Sequence, residues 1–277
     1  MEVGHMEVFN DDNNLYVKYV ITEPGACLLE THLQAAADFT GIPQTKKGNP
    51  IPGQFAYSME HSCVMAYTYP IPLDGLSGDI VIAAHAVVQM PSSGTTASCA
   101  NEVFDFNQGL RKDGTAVLAA RSIPENALGV PDSVRPLQSF YSLGFGGELS
   151  VTFPTFITGE LTVSEVTWGS YPSETAEVSV SRDGADWTVL GVADNSASGD
   201  IRPSSFTLNE CYQYVKIVDT TDSSLFGSRP DADAFDVDAV CASTTCEEET
   251  AWGGCIDVDG FGFEGKNWAT YFTYTVQ

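Results

Sequence analysis

The chain has 277 residues and a mass of 29.7 kDa, and 43% of its residues are hydrophobic. This is enough to bury the core of one large domain or of two ordinary ones. Its 37 acidic and 12 basic residues give a formal net charge of −25, which excludes electrostatic binding to nucleic acid or to an anionic membrane. No apolar run reaches the roughly 18 residues that a membrane span needs, so no membrane insertion is expected.

Short stretches rich in β-branched and aromatic residues alternate with clusters of Gly, Pro, Asn and Asp, which predicts an antiparallel all-β protein. Residues 6–9 and 15–20 are two such stretches. The run NDDNN at 10–14 between them tolerates turn conformations and predicts a hairpin. Residues 268–276 indicate a strand without a partner nearby in the sequence, so we expect it to pair with a distant part of the chain.

Two spacers of small and polar residues, at 91–98 and 243–249, interrupt this pattern. Because the ends of a domain often lie close together, one domain can be inserted into a loop of another. Such an insertion also explains the unpaired last strand. We therefore predict two antiparallel β-sandwich domains, a split outer domain of residues 1–92 and 246–277 and an inserted domain of residues 99–241.

The cysteines show no Cys-x-x-Cys pair, so disulfides are favoured over a zinc ribbon. The seven are Cys27, Cys63, Cys99, Cys211, Cys241, Cys246 and Cys255. Their connectivity cannot be deduced from sequence, and the pair that we favour is Cys246 with Cys255, which would close a short loop. The odd count leaves one thiol free or paired outside this chain.

Several motifs between the spacers follow a recognisable order. Residues 150–153, 161–165 and 176–181 indicate strands, SRDGADWTVLG follows at 181–191, and YVKIVD at 214–219 indicates another strand. This order resembles the discoidin-like, galactose-binding-domain-like jelly roll. In that fold the Asp-Gly turn links two strands and the Trp packs in or beside the core.

Three further motifs sharpen the resemblance: NALGVPD at 126–132, LGFGG at 143–147 and FDVDAV at 235–240. Together they are similar to a discoidin-like subgroup that is common in bacterial surface proteins, including many with a PEP-CTERM sorting signal. The resemblance covers residues 123–241 and implies a jelly roll in an extracellular or cell-surface protein.

Segments outside the central block carry a second resemblance. They are ETHL at 30–33, GNPIPGQF at 48–55, IAAHA at 82–86, ETAWG at 249–253 and NWATYF at 267–272. Together they resemble one uncharacterised secreted or surface domain that occurs elsewhere without an insert. This resemblance implies architecture and location only.

Acidic residues near the end of the central block indicate a cation site. In a strand over residues 235–240, Asp236 and Asp238 would share one face about 7 Å apart. Further acids lie in the same stretch: Asp219, Asp222, Asp231 and Asp233. Oxygen-rich clusters of this kind select Ca²⁺. A solvated acidic face without a bound ion is the alternative.

The resemblance narrows the choice of ligands for this ion. Discoidin-like jelly rolls often hold a structural Ca²⁺ between an early loop, here residues 126–132, and the last strand. A glutamate on a neighbouring strand could join them. The ligands predicted on this basis are Asn126, Asp132, Glu165, Asp236 and Asp238.

The loop WGSYP at 168–172 is the best candidate for carbohydrate contact. The ring faces of Trp168 and Tyr171 can stack on the C–H groups of a sugar, while neighbouring acids and amides bond its hydroxyls. An equally good interpretation is that Trp168 caps the sandwich core at a bend.

Two weaker patterns concern other metals. The four histidines are His5, His32, His61 and His85. Glu30 shares a strand face with His32, which makes a zinc site conceivable, but no pair with zinc-binding spacing exists and structural histidines are favoured. The run DVDG at 257–260 with Glu264 lacks the spacing of an EF-hand, so a tight surface turn is favoured there.

Motifs of catalysis are missing from the sequence. It contains no nucleophile elbow and no phosphate-binding loop, and among 37 acidic residues paired carboxylates are expected without glycoside hydrolysis. We therefore expect a non-enzymatic, Ca²⁺-binding extracellular or cell-surface protein that binds a glycan or cell-surface polysaccharide or mediates adhesion. One alternative is an acidic structural or mineral-associated surface protein that recruits divalent cations without a defined sugar site. The other is a hydrolase or metalloenzyme.

Overall fold

The structure is a computed structural model that describes residues 2–94, 96–133, 139–254, 261–263 and 269–277. Within these residues the protein is all-β, and the helical segments there are 3-10 turns of three or four residues. The strands are β1 (Gly4–Asn10), β2 (Asn14–Ile21), β3 (Cys27–Ala36), β4 (Tyr57–Val64), β5 (Ala66–Pro72), β6 (Asp79–Pro91), β7 (Ser98–Cys99), β8 (Glu102–Asn107), β9 (Tyr141–Ser142), β10 (Glu148–Val166), β11 (Thr175–Ser181), β12 (Trp187–Asp194), β13 (Ile201–Asp219), β14 (Asp236–Trp252), β15 (Phe261–Gly262) and β16 (Thr270–Thr275).

The chain divides into two compact units. The outer unit comprises Met1–Met90 and Glu247–Gln277, and the central unit comprises Pro91–Cys246. The two ends of the central unit lie side by side, because the amide of Ser92 donates a hydrogen bond to the carbonyl of Thr245 at 2.9 Å. That the two units fold independently, as a split host domain and its insert, remains a prediction.

In the outer unit, residues of two antiparallel sheets form one core. The first sheet places β2 between β1 and β5, and the second has the order β4-β3-β6-β16-β15. Every second residue of β2 is buried, from Leu15 to Ile21, because successive side chains of a strand point to opposite faces. These residues belong to the same core cluster as Leu33, Ile82 and Phe272 of the second sheet.

Two predicted strand pairings are confirmed in the outer unit. β1 and β2 form the N-terminal hairpin, in which the carboxylate of Asp11 accepts hydrogen bonds from the amides of Asn13 and Asn14 at 2.8 and 2.7 Å. β16 pairs with β6, so that Phe272 lies opposite Ile82. The last strand therefore completes a sheet of the outer unit.

In the central unit, two strands of 19 residues, β10 and β13, pair along their length and take part in both layers of a sandwich. One layer has the order β12-β11-β13-β10-β8, and the other joins β13 and β10 to β14, which also pairs with β7 and β9. The pairing shifts register near Ile157 and Gly159. Such irregularities bend a strand, so one strand can serve both layers around a single core.

The disulfides correct one prediction. Cys27 pairs with Cys63 in the outer unit, and Cys99 pairs with Cys241 in the central unit. Cys246 pairs with Cys211, not with Cys255 as predicted. The folded sandwich brings the Cα atoms of this pair to 6.2 Å although 35 positions separate them, and sequence spacing gives no sign of such a contact. Cys255 lies outside the described residues.

Candidate functional site

The central unit contains a cleft with a cavity volume of about 130 Å³. The side chains around it are Arg121, Phe140, Val166, Thr167, Trp168, Tyr171, Glu174, Asp233 and Asp236. They come from four stretches of chain that the sandwich brings together: a 3-10 turn near residue 121, the start of β9, the connection from β10 to β11, and the start of β14. Aromatic rings, acids and a base therefore surround one small space.

Aromatic side chains form one wall of the cleft. Trp168 is half-buried and its ring meets the buried ring of Phe140 edge to face, with 5.8 Å between the centroids. Tyr171 is 37% exposed, and the guanidinium carbon of Arg229 lies 4.1 Å from the centroid of its ring. Trp168 thus packs on a core residue and also lines the cleft, and its contact with a carbohydrate remains a prediction.

The aromatic loop is fixed through its backbone. Gly169 adopts a φ of 92°, a left-handed conformation that suits glycine. Arg202 donates to the carbonyl of Gly169 at 3.0 Å, Arg229 to that of Ser170 at 3.2 Å, and Asn195 to that of Pro172 at 3.0 Å. Because these side chains hold the loop before any ligand arrives, little conformational entropy is lost on binding.

Charged side chains form another part of the cleft wall. Nη1 of Arg121 lies 3.2 and 3.0 Å from the two carboxylate oxygens of Asp233, and the guanidinium carbon lies 5.0 Å from the centroid of the Phe140 ring. Asp236 accepts a hydrogen bond of 2.5 Å from the hydroxyl of Ser142. Burial, and after it the charge of Asp233, raises the pKa of Asp236 well above its usual range.

A second pair of carboxyls lies beside this wall. Glu165 is fully buried and Glu174 is 3% exposed, and the hydroxyl of Thr167 lies 2.6 Å from the first and 3.3 Å from the second. Asn195 donates to Glu174 at 3.0 Å. Burial raises the pKa of Glu165 to about 8, and burial together with the charge of Glu165 raises the pKa of Glu174 to about 9. The pair therefore holds protons at neutral pH.

The predicted Ca²⁺ ligands lie in different surroundings. Glu165 is next to Thr167, and Asp236 is at the cleft. Asn126 donates weakly to two backbone carbonyls, at 3.4 Å each. In the pairing of β10 with β14, Ala239 and Val237 have partners on β10 but Asp238 between them has none, because the register shifts at this point. Side chains of residues 235–240 therefore do not alternate between two faces as expected for a regular strand. Asp236 and Asp238 are 8% and 1% exposed, so neither belongs to a solvated face.

Asp238 and Asp132 form the remaining candidate for a cation. The amide of Ser133 donates to Oδ1 of Asp238 at 3.1 Å, while Oδ2 is buried without a hydrogen-bond partner among the described residues. Burial raises the pKa of Asp238, and the charge of Asp132 adds to the rise. The structure places no group of three or more His, Cys, Asp or Glu side chains for a metal ion within the residues that it describes. Backbone carbonyls would have to supply the other ligands.

Two other acids of the predicted cluster accept hydrogen bonds from backbone amides. Asp219 accepts from the amide of Gly146 at 2.9 Å, and Asp222 caps a 3-10 turn by accepting from the amide of Ser224 at 2.9 Å. Asp231 is exposed. These three residues lie outside the set that lines the cleft.

Sequence reasoning missed several residues of the cleft. Arg121 and Phe140 lie in stretches without a motif, and only the fold brings them to Trp168. Glu174 and Asn195 had a weak local signal, since each stands where a loop meets a strand of the jelly-roll pattern, beside the aromatic loop or at the end of β12. Polar residues at strand ends near an aromatic loop are the sequence signal that could have indicated these two residues.

Three half-buried histidines, His32, His61 and His85, lie on the second sheet of the outer unit. Nε2 of His32 lies 2.9 Å from a carboxylate oxygen of Glu30, and the ring centroids of His32 and His85 are 5.6 Å apart. Burial, and then the charge of His32, lowers the pKa of His85 to about 4. His61 shares a hydrogen bond with the hydroxyl of Thr31 at 2.8 Å. The run at 257–260 and Glu264 lie outside the described residues.

No family model and no curated protein matches the chain. Solved structures that resemble it include a truncated AlyQ with CBM32 and alginate lyase domains, at 14% identity and a TM-score of 0.36, over 55% of this chain and 34% of that chain. Allantoicase from Saccharomyces cerevisiae matches at 8% identity and a TM-score of 0.36, over 86% of this chain and 80% of that chain. A fucolectin from the serum of striped bass matches at 10% identity and a TM-score of 0.33, over 87% and 86%. At these identities and TM-scores the similarities assign no function to this chain.

Proposed function

We propose that the central unit binds carbohydrate in the cleft beside Trp168 and Tyr171. The observation that carries this proposal is the grouping of these two rings with Arg121, Glu174 and Asp236 around one cavity. Ring faces pack on the C–H groups of a sugar, while carboxylate and guanidinium groups exchange hydrogen bonds with its hydroxyls. Glycan binding or adhesion is the function that this chemistry supports best.

The size of the cavity restricts what can enter. A volume of about 130 Å³ is less than half of the roughly 300 Å³ at which pockets for drug-sized ligands begin. The cleft therefore takes one edge of a sugar ring, and the rest of the glycan extends into solvent. We expect recognition of a chain end or of a single ring.

We propose binding rather than catalysis at this site. A general acid has to lie within hydrogen-bond reach of the reacting atom. Glu165 is fully buried and Asp233 holds Arg121, so these two carboxyls are not presented to a glycosidic bond. A hydrolase remains the less favoured alternative, and release of reducing ends from bound glycans would reveal it.

An extracellular or cell-surface location fits this role. The three disulfides among the described residues are typical of proteins from oxidising compartments. No described helix has the length and apolar character of a membrane crossing.

Replacing Trp168 is expected to abolish most of the binding. Screening on a glycan array identifies the sugar, and titration calorimetry then measures its affinity. Trp168→Ala removes the ring face and should raise the dissociation constant by at least about tenfold. Trp168→Phe keeps an aromatic face and should retain most of the affinity.

A matched control separates the cleft from general effects of lost apolar surface. Val189 on β12 is 57% exposed and lies outside the cleft, so Val189→Ala should bind as the natural chain does. Unchanged affinity in Trp168→Ala would contradict the proposed site. Absence of saturable binding to any glycan would instead favour an acidic structural or mineral-associated surface protein.

We further propose that Ca²⁺ binds at Asp238 and Asp132. The support is the buried Oδ2 of Asp238, which has no partner among the described residues and needs a positive group or a donor. Hard oxygen ligands of this kind suit Ca²⁺. Bound there, the ion would hold the loop after Leu128 against β14 and so stiffen one side of the sandwich.

Calcium is expected to raise the melting temperature of the central unit. An ion that binds only the folded state adds about 2.7 kcal/mol at a hundredfold excess over its dissociation constant, which corresponds to roughly 5–10 °C for a domain of this size. Calorimetric melting curves in EDTA and in millimolar CaCl₂ measure the shift.

Two comparisons make the calcium test specific. Asp238→Asn should lose most of the shift, whereas Asp186→Asn, at an exposed turn of the same unit, should keep it. Mg²⁺ should act more weakly, because it prefers a smaller octahedral site. Coincident melting curves, or a full response in Asp238→Asn, would rule out this site.

A further inference from the structure

The charges around the cleft are unequal. Glu174, Asp233 and Asp236 line it, and Arg121 is the one basic side chain among the described lining residues. Asp233 already neutralises this guanidinium, since its two oxygens lie 3.2 and 3.0 Å from Nη1. A ligand that enters the cleft therefore meets ionisable carboxyl groups and, among the described lining residues, a basic group that is already paired.

Asp236 is one of the buried acids whose hydrogen bonding bears on a ligand. It is 8% exposed, lines the cleft, and its Oδ1 accepts from the hydroxyl of Ser142. A ligand that brings a charged donor to this carboxyl forms a charge-assisted hydrogen bond, which is stronger than a neutral one.

We propose that the cleft selects glycans with a free, protonated amino group over neutral and anionic glycans. This inference rests on the carbohydrate binding proposed above and names the class of sugar. The ammonium group would donate to Asp236 and Glu174, and the ring faces of Trp168 and Tyr171 attract a cation as well. A uronic or sulfated sugar would oppose the ionisation of these carboxyls and would find Arg121, the basic side chain of the described lining, already paired with Asp233, so it should bind more weakly.

A metal ion is a poorer occupant of this cleft. The described residues include no group of three or more His, Cys, Asp or Glu side chains placed to hold one. The aromatic wall offers ring faces, which suit the C–H groups and the cation of an amino sugar but supply no oxygen ligand to a metal. An organic cation uses both walls.

Binding of such a ligand releases protons. Burial and the neighbouring acids raise the pKa values of Asp236 and Glu174, and an ammonium group beside them favours their ionised forms. The charged groups that act on the two carboxyls are Arg121, Glu165 and Asp233. Arg202 in turn acts on Glu165, and Tyr171 acts on Arg121. Arg121 already pairs with Asp233, and Arg202 donates to the carbonyl of Gly169. The ammonium group of the ligand is therefore the cation that promotes ionisation of Asp236 and Glu174.

Titration calorimetry of the full chain tests the preference. At pH 7 in EDTA, the probes are glucosamine, glucose and glucuronic acid, with galactosamine, galactose and galacturonic acid as a second series. We expect the amino sugar of at least one series to bind about tenfold more tightly than its neutral counterpart, because a charged hydrogen bond is stronger than a neutral one. The acid should bind more weakly than either. The measured heat should also depend on the ionisation enthalpy of the buffer.

Variants separate this inference from the proposed function. Asp236→Asn should bring the ratio of the affinities for an amino sugar and its neutral counterpart close to one, whatever its effect on neutral sugars alone, and Glu174→Gln carries the same test should Asp236→Asn not fold. Glu160→Gln, at an exposed position on β10, should leave the preference intact. Equal affinity for amino and neutral sugars, with binding lost in Trp168→Ala, would overturn the selectivity and leave carbohydrate binding standing. No binding of any sugar in either series or on the array would overturn both.

Discussion

Raising the pH from 6.5 to 8.5 is expected to destabilise the central unit by several kcal/mol. The cause is the buried pair Glu165 and Glu174, whose pKa values rise to about 8 and about 9 in the folded chain. In the unfolded chain both carboxyls titrate near 4.5. Between these values the folded state binds more protons than the unfolded state. Stability is therefore complete below about pH 4.5 and falls as the pH rises, by about 1.4 kcal/mol per pH unit for each carboxyl.

The range of pH is chosen to limit titration outside the central unit. In the outer unit, burial lowers the pKa of His85 to about 4, so folding keeps this imidazole neutral and its stability contribution is lost as the pH falls through about 6.5. Above about pH 7.5 His85 is neutral in both states and adds no slope. Urea unfolding in EDTA at pH 6.5, 7.5 and 8.5 then reports mainly the carboxyls of the central unit.

Glu174→Gln tests the assignment directly. A glutamine needs no proton and can donate to Glu165, so the variant should be more stable than the natural chain at pH 8.5 and show a shallower dependence on pH. Glu160→Gln, at an exposed site, should run parallel to the natural chain. Parallel curves for Glu174→Gln as well would show that the pair does not carry the pH dependence, and Glu165→Gln provides a second reading of the same pair.

Loss of the Cys99–Cys241 disulfide is expected to have an effect of similar size. The bond closes a loop of 142 positions and ties the first strand of the central unit to β14. Removing a native disulfide costs about 2–5 kcal/mol, and more for longer loops. For a domain of 150–250 residues this corresponds to a fall in melting temperature of roughly 5–20 °C. The double variant Cys99→Ala and Cys241→Ala measures it by calorimetry.

The second disulfide of the same unit is the matched control. Cys211–Cys246 spans 35 positions, so loop-closure entropy makes its loss cheaper by about 1 kcal/mol. The double variant Cys211→Ala and Cys246→Ala should therefore melt above the other double variant. The reverse order would mean that the bonds act through local packing rather than through the unfolded chain.

The sequence was most informative where the signal is local. Stretches rich in β-branched and aromatic residues predicted β1 and β2, and the Asn-rich turn between them predicted their hairpin, because strand propensity and turn conformations depend on neighbouring residues. The last strand was found by exclusion, since a strand cannot remain unpaired and its neighbours offered no partner. The aromatic loop at 168–172 was found because its residue types suit one kind of ligand.

The sequence was least informative where residues distant in sequence meet. Cys211 and Cys246 are brought together by strands that pass through both layers, and no spacing rule reveals that contact. The proposed Ca²⁺ ligands were drawn from an assumed regular strand, but the irregularity at Asp238 and the burial of Asp236 place them in different surroundings. Arg121 reaches Asp233 across 112 positions.

By itself, then, the sequence determined an all-β protein, its first hairpin, the distant pairing of its last strand and the loop that carries Trp168. Those features follow from β-branched and aromatic residues, turn residues and hydrogen bonding of the backbone, which act over a few positions or on whole strands. Only the tertiary structure decided the disulfide pairs, the burial of the carboxyls and the combination of Arg121, Glu174 and Asp236 with the aromatic loop. The reason is that burial and charge pairing depend on which strands become neighbours, and this is settled by packing of the whole core.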